Sequence, residues 1–505
     1  MDRRVRVFAL FLIVCFVLLF LQLGNVQVRQ SKALSRSPYA GRTGGDPFAG
    51  DRGEILSSDG VVLARSTPSN GLYTYQRVYP LGSLFADITG YVNVVDANVT
   101  TGLEAEYGNP LGTTPSSQYL LVHQYPSHGL KGVLTSRSGT DSITTTVSYK
   151  LQRVAQQALG SDRGAVVALD PQNGNILAMY ANPSYDPNRL AAHDPAAVNK
   201  YFASLNPNSG TGALANGVTY QTHPPGSTFK IVTSAAIYDT MPSLAARTYP
   251  YESSTSLPNT TQVLHNFDNE KCGGSLLVAF VVSCDTTYGE IGLALGPKNL
   301  AGEAGKFGFN QVPPIDLPAS EVSASNFPKA STFSPNDPFL AYSAIGQGNV
   351  QESALQDALV AGAIADGGTM MTPHLLSHVI DDQGNIVASY HPHRWLQATS
   401  PATAAAVRTM MLGVVADPNG TGSGIGFPPS LHVAGKTGTA QASVNGVCTD
   451  NWFVAIAPAG PGETPKVAVA AFVPYQPGLS CASTGAASAG PVVRQVLDAA
   501  LGYGG

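Results

Sequence analysis

Three features of the sequence predict an α+β protein: an antiparallel sheet covered by helices, preceded by a β-rich module and by one membrane-spanning helix. An apolar run occupies the N-terminus. Short β-like segments cut by Gly, Pro and Asn follow, and strand-like segments then stand at both ends of a long stretch whose middle is Ala-rich and helical. Strands at both ends with helices between them fit one sheet whose faces the helices cover. The 505 residues exceed what one core usually supports, so at least two domains are expected. A hydrophobic share of 43% and a net charge of only −5 exclude a disordered chain and argue against a nucleic-acid partner.

Arg3, Arg4 and Arg6 precede an unbroken apolar run from Val7 to Leu21 that resumes at Leu23. This is close to the ~20 residues a helix needs to cross a bilayer. Arginines stay on the cytoplasmic side, so residues 1–6 read as a cytoplasmic tail, 7–26 as a single-pass anchor in the cell membrane, and all that follows as extracellular. A cleaved signal peptide is the alternative, but the nearest small-x-small site, Ser31-Lys32-Ala33, lies well beyond the apolar run. Residues 27–50, rich in Ser, Gly and Arg, read as a flexible stalk.

Residues 51–146 carry the β-like pieces Glu54-Ile55-Leu56, Gly60-Val61-Val62-Leu63 and Tyr119-Leu120-Leu121-Val122 and form a loop-rich, non-catalytic pedestal; residues 147–505 form the second domain. Its first helix is expected over Val147 to Leu159, where Leu151, Val154, Ala155, Ala158 and Leu159 keep helical spacing behind Ser148 as N-cap. Gly164 to Leu169 and Asn175 to Tyr180 flank the turn Asp170-Pro171-Gln172-Asn173-Gly174 and read as a hairpin. A second hairpin runs from Asn451 to Val473. It would bring Cys448 and Cys481 together, leaving Cys272 to pair with Cys284, because Cys15 lies in the apolar run; four free thiols are the alternative. The ten histidines are scattered and no Cys/His cluster has metal-ligand spacing, so no metal is expected.

Three short segments carry chemistry. Pro224-Pro225-Gly226-Ser227-Thr228-Phe229-Lys230 opens the apolar stretch Ile231 to Ile237, placing Ser227 in the first turn of a buried helix. Residues three apart on a helix share a face, so the Lys230 amine can take the Ser227 proton while the helix N-terminus favours the developing charge. Of eleven lysines only Lys230 has a serine three positions before it. Ser283-Cys284-Asp285 follows the helix-like run Leu276 to Val282. Lys436-Thr437-Gly438-Thr439 lies on an expected edge strand, where Lys436 and the two threonine hydroxyls can hold a carboxylate, Gly438 leaves room for a bound backbone, and an extended peptide can add to the strand.

Ser-x-x-Lys, a Ser-x-Asn variant and Lys-Thr-Gly in this order resemble the signature of class A β-lactamases and penicillin-binding proteins. Arg52-Gly53-Glu54-Ile55-Leu56, Gly102-Leu103-Glu104-Ala105-Glu106-Tyr107, Asn182-Pro183-Ser184-Tyr185-Asp186-Pro187-Asn188 and Asn451-Trp452-Phe453-Val454-Ala455 extend the likeness over nearly the whole chain. The chain thus resembles class B penicillin-binding proteins, which are monofunctional D,D-transpeptidases, and within them the actinobacterial penicillin-binding protein A type. This resemblance implies the penicillin-binding transpeptidase fold and peptidoglycan cross-linking, with no cofactor. Ser227 would be the acylated nucleophile, Lys230 its base, Ser283 a proton relay, and Lys436, Thr437 and Thr439 the carboxylate clamp. The Ser227 and Thr439 N–H groups would form an oxyanion hole. Implied partners are stem peptides ending in D-Ala-D-Ala, β-lactam antibiotics, the membrane, and proteins of division or elongation.

Asp285 departs from the pattern, since Asn is more usual there. A carboxylate beside Lys230 works against the loss of its proton, so Asp285 is expected to engage Lys436 or a substrate amide instead. Ser334-Pro335-Asn336 is a weaker rival for the middle motif. His223 reads as structural, Asp186 as a turn residue, and Phe229 and Trp452 as core. A serine β-lactamase or D,D-carboxypeptidase on the same fold, or a non-catalytic scaffold, remains as an alternative.

Overall fold

A computed structural model of the chain describes residues 51–70, 73–93, 100–108, 140–334, 337–441 and 448–503, together with Phe16. The expected anchor, stalk and Tyr119 to Val122 strand lie outside the described residues, among which no helix is long and apolar enough to cross a membrane.

The sheet that organises the second domain is antiparallel throughout, with strand order 434–441, 449–457, 467–473, 164–169, 176–182. Every residue of strands Thr449–Ala457 and Val467–Val473 is buried. Helices Ala354–Ala365 and Ala489–Ala500 both pack on these central strands, which explains why they read as continuous apolar runs rather than as an alternation. Helix Tyr149–Leu159 starts where the sequence places it: the Ser148 hydroxyl accepts the Leu151 N–H, and Leu151, Ala155 and Leu159 are buried one turn apart.

The other large sheet has six strands in the order 386–389, 376–380, 142–145, 55–56, 62–68, 75–78. Strands Leu376–Ile380 and Ile386–Ser389 thus come from deep within the later sequence, and the two parts of the chain share a sheet. Beside it, Arg52 Nε and Arg77 Nε each lie 2.6 Å from one oxygen of the fully buried Glu104, and Tyr79 donates to the same carboxylate at 3.3 Å. Burial alone would raise the Glu104 pKa, but Arg77 and Arg52 together hold it below the usual carboxylate range. Two further bonds dock this region on the second domain: the Gly102 N–H donates to Glu321 Oε1 at 2.9 Å and Tyr107 donates to Asp316 Oδ2 at 2.8 Å.

The middle of the chain is less purely helical than the sequence suggests. Thr248–Glu252 pairs with Cys272–Ser275, Ser254–Ser256 with Val263–His265, and Thr369–Met371 with Arg394–Gln397. These strands are too short for an apolar period to show. At Gly273 a Cβ would fall 1.9 Å from Pro250 O, so this pairing depends on a backbone approach that only glycine permits. Cys272 and Cys284 are bonded at 2.12 Å, and Cys448 and Cys481 at 1.96 Å.

Replacing Glu104 by Gln would leave two buried guanidinium groups without a counter-charge. A loss of about 3–5 kcal/mol is expected, read as a lower urea midpoint. A loss under about 1 kcal/mol would show that the network is not buried in solution.

Candidate active site

Ser227 lies in a 3-10 turn, Gly226–Phe229, that leads directly into the buried helix Lys230–Thr240. The change from tight turn to α-helix is enforced by packing. Gly226 has φ +57°, and a Cβ there would meet Thr439 O at 2.9 Å. From the other side, a Cβ at Gly438 would lie 2.5 Å from Pro225 O and 2.8 Å from Trp452 Cβ. The turn and strand Ala434–Gln441 therefore touch backbone to backbone, and Trp452 Nε1 donates to Pro224 O at 2.9 Å to hold the approach. This corrects the expectation for Gly438: the missing side chain makes room for the protein's own Pro225 carbonyl, not for a bound backbone. Among the described residues the strand is an edge, paired only with 449–457.

The Lys230 side chain is fully buried and its ammonium is shared three ways: Asp285 Oδ1 at 2.6 Å, Ser283 O at 2.8 Å and Ser283 Oγ at 3.3 Å. The expectation that Asp285 engages Lys436 or substrate rather than Lys230 is overturned. Asp285 is the first residue of helix Asp285–Lys306, after a Ser283 held at φ +60°, and this bend aims the carboxylate at Lys230. The Cys272–Cys284 bond and the Thr286 N–H, which donates to Asn266 Oδ1 at 2.8 Å, fix the bend. Burial pushes the Lys230 pKa down and Asp285 pushes it partly back, leaving it below the usual lysine value.

Lys436 is also fully buried and donates to Ser283 Oγ at 2.9 Å and to Thr437 O at 3.0 Å. Burial first, and then the charge of Lys230, hold it well below the usual lysine value, with Asp285 opposing. Ser283 Oγ thus stands between two amines. Strand alternation puts Lys436 and Gly438 on one face and Thr437 and Thr439 on the other. The Thr437 hydroxyl lies 2.7 Å from that of Thr421, and the Thr439 hydroxyl accepts the Gly485 N–H at 3.3 Å. Neither Thr421 nor Gly485 stands in a sequence pattern that could have singled it out.

Ser227 itself is half-buried, and among the described residues no hydrogen bond is made to its hydroxyl. The arrangement can therefore offer a half-buried serine, one turn before Lys230, together with two amines with weakened hold on their protons. His223 is kept neutral, at about 4, by burial, and its ring packs 4.2 Å from that of Phe472. Asp186 caps a short helix by accepting the Asn188 N–H, and Phe229 and Trp452 are both 1% exposed core. Of the rival middle motif, Pro335 and Asn336 lie outside the described residues. Among the described residues no group of His, Cys, Asp or Glu could hold a metal.

The model of the penicillin binding protein transpeptidase domain matches residues 164–498, and that of the penicillin binding protein A dimerisation domain matches 52–125. The chain belongs to the penicillin-binding proteins. It is 33% identical, over the full length of both chains, to the peptidoglycan D,D-transpeptidase PbpA of Mycolicibacterium smegmatis. Its fold is similar to the crystal structure of PBPA from Mycobacterium tuberculosis, with a TM-score of 0.76 and 31% identity over 90% of this chain and 100% of that one. The penicillin G acyl-enzyme complex of M. tuberculosis penicillin-binding protein A gives a TM-score of 0.75 and 30% identity, covering 89% of this chain and 99% of that one. The α+β fold of this penicillin-binding protein is thus that of the transpeptidases.

Two expectations follow from the geometry. Gly438→Ala forces the nucleophile turn off the edge strand, and displacement by about 1 Å corresponds to a loss of roughly 100-fold in acylation rate. Labelling kinetics of a folded variant within threefold of wild type would refute that contact. Asp285→Asn removes the group that returns proton affinity to Lys230, so the acid limb of the acylation–pH profile moves to lower pH. A limb that stays or moves to higher pH would contradict this.

Proposed function

We propose that this chain is a peptidoglycan D,D-transpeptidase that forms a serine acyl-enzyme from D-Ala-D-Ala stem peptides and is acylated in the same way by β-lactams. The observation that carries this reading is a half-buried Ser227 one turn before Lys230, whose buried amine is joined to that of Lys436 through Ser283. In this reading Ser227 Oγ attacks the penultimate carbonyl and loses its proton to neutral Lys230. The oxyanion sits against the Ser227 and Thr439 N–H groups, a placement favoured by the close packing of Gly226 on Thr439. As the C–N bond breaks, the terminal D-Ala amine receives a proton through Ser283. The amine of a neighbouring stem peptide then attacks the acyl group and frees Ser227. The Thr437 and Thr439 hydroxyls hold the substrate carboxylate, with Lys436 supplying positive potential from the far face of the strand.

The rest of the chain fits the same role. Residues 7–26 anchor the enzyme in the cell membrane as a single pass, 27–50 form a stalk, 51–146 a pedestal and 147–505 the extracellular transpeptidase domain. The relatives named D,D-transpeptidase support the activity, and the positive-inside arginines support the topology. Division or elongation proteins are the partners such a placement suits.

The test is a fluorescent penicillin with wild type and Ser227→Ala, followed by gel and intact mass. One stable adduct on wild type and none on the variant is the expected result. Rapid penicillin loss without an adduct would favour a hydrolase, and intact penicillin with no adduct a scaffold.

A further inference from the structure

Helix Ala354–Ala365, which packs on the central strands, opens with a Ser-x-x-Gln start in which the Ser353 hydroxyl accepts the Gln356 N–H. In such a start the residue before the cap and the fourth residue of the helix commonly close on each other as an apolar staple. Here those two positions are Glu352 and Asp357. Both side chains are 1% exposed, and Glu352 Oε1 and Asp357 Oδ2 have no hydrogen-bond partner. One negative charge at a helix N-terminus is favoured, but two in one dry space repel.

Both residues are tied to the segment that carries Ser227, Glu352 through its backbone and Asp357 through its carboxyl. Glu352 exchanges two backbone bonds with His223, N–H to O at 2.8 Å and O to N–H at 2.9 Å, three residues before Gly226. Asp357 faces the hydroxyl of Thr228, the residue after Ser227. No cation compensates them. Around this helix stand His223, Lys230, Tyr238, Asp239, Asp450 and Arg408. His223 is kept neutral by burial, Lys230 is paired with Asp285, Asp239 accepts from Thr399 and Thr403, Asp450 accepts the Tyr475 N–H, and Arg408 donates to Glu463 O. None of the six bears on the two carboxyls; among the described residues the charge acting on Glu352 is that of Asp357.

We propose that Glu352 and Asp357 are positioning residues, a staple that holds the nucleophile turn in register only while at least one of the two carboxyls keeps its proton. The inference rests on the acylation of Ser227 proposed above. Burial raises both groups, Asp357 to about 8 and Glu352 well above the usual glutamate value. The sign is that of a raised folded-state pKa: the stabilisation is complete below the unfolded value of about 4 and is lost as pH rises through the folded one. Ionisation drives the staple apart and pulls on both the His223 bridge and Thr228.

The experiment measures labelling rate by fluorescent penicillin from pH 6 to 9 on the full-length chain in detergent, for wild type, Glu352→Val with Asp357→Leu, and Asp357→Asn. Asp357 ionises at about 8 and its charge pushes Glu352 higher still, so the pair loses its last proton only above that value. The ratio of variant to wild-type rate is therefore expected to be flat up to pH 8 and to rise above it, and the wild-type melting temperature to fall more steeply with pH than that of the variants. If the apolar pair does not fold, Asp357→Asn carries the comparison, since its amide can meet Glu352 without a shared proton. A purely structural pair would alter the melting slope and leave the rate ratio flat, which would overturn the proposal. Wild type that labels at no pH would instead overturn the Ser227 reading, and this inference with it.

Discussion

Two fully buried amines share one partly exposed carboxylate, and much of the local architecture answers to that. Removing an ion from water costs several kcal/mol even after relaxation, so Lys230 and Lys436 can both be buried only if something offsets their charges or releases a proton. Asp285 stands 2.6 Å from Lys230 and offsets one of them. Lys436 has no carboxylate of its own and is the more strongly depressed of the two. Ser283 Oγ, within bonding reach of both amines, is the natural path for a proton between them. The left-handed bend at Ser283, the Cys272–Cys284 bond and the Asn266 contact to Thr286 all keep Asp285 where the balance requires it.

The second constraint is backbone proximity. The turn bearing Ser227 and the edge strand bearing Thr439 come closer than side chains allow, with Gly226 and Gly438 facing each other's backbones across the gap. Two peptide groups from sequence positions far apart can then face one developing charge, which is what stabilising an oxyanion demands. Helices Ala354–Ala365 and Ala489–Ala500, packed on the central strands of the sheet, leave those strands wholly buried.

Farther out, a buried charge network does similar work. Arg52, Arg77 and Glu104 meet from three separate segments, and the sheet beside them takes strands from residues 376–389. The strands at 55–78 are therefore not part of an appendage on a linker. Glu321 and Asp316 reach from the second domain to Gly102 and Tyr107, so the placement of this region relative to the site is fixed by hydrogen bonds as well as by packing.

The motif residues were legible because their chemistry is carried by residue type and local spacing: Ser227 three before Lys230, a helix capped by Ser148, a hairpin around Asp170 to Gly174. The hairpin from Asn451 to Val473 was readable from the same kind of local pattern. The direction of Asp285 depends on one left-handed residue and on the bond of its neighbour Cys284 to a cysteine 12 positions before that neighbour, neither of which local spacing shows. Gly438 was misread because its neighbour, Pro225, is remote in sequence. Glu352 and Asp357 gave no signal at all; as letters they are two acids near a helix start, and only burial turns them into a pair that must share its charge. Sequence by itself determined which groups are present and which short segments carry them, since these follow from covalent neighbours. The tertiary structure decided which charges face one another and which are dry, because dielectric environment and through-space distance are set by packing between segments that the chain does not join.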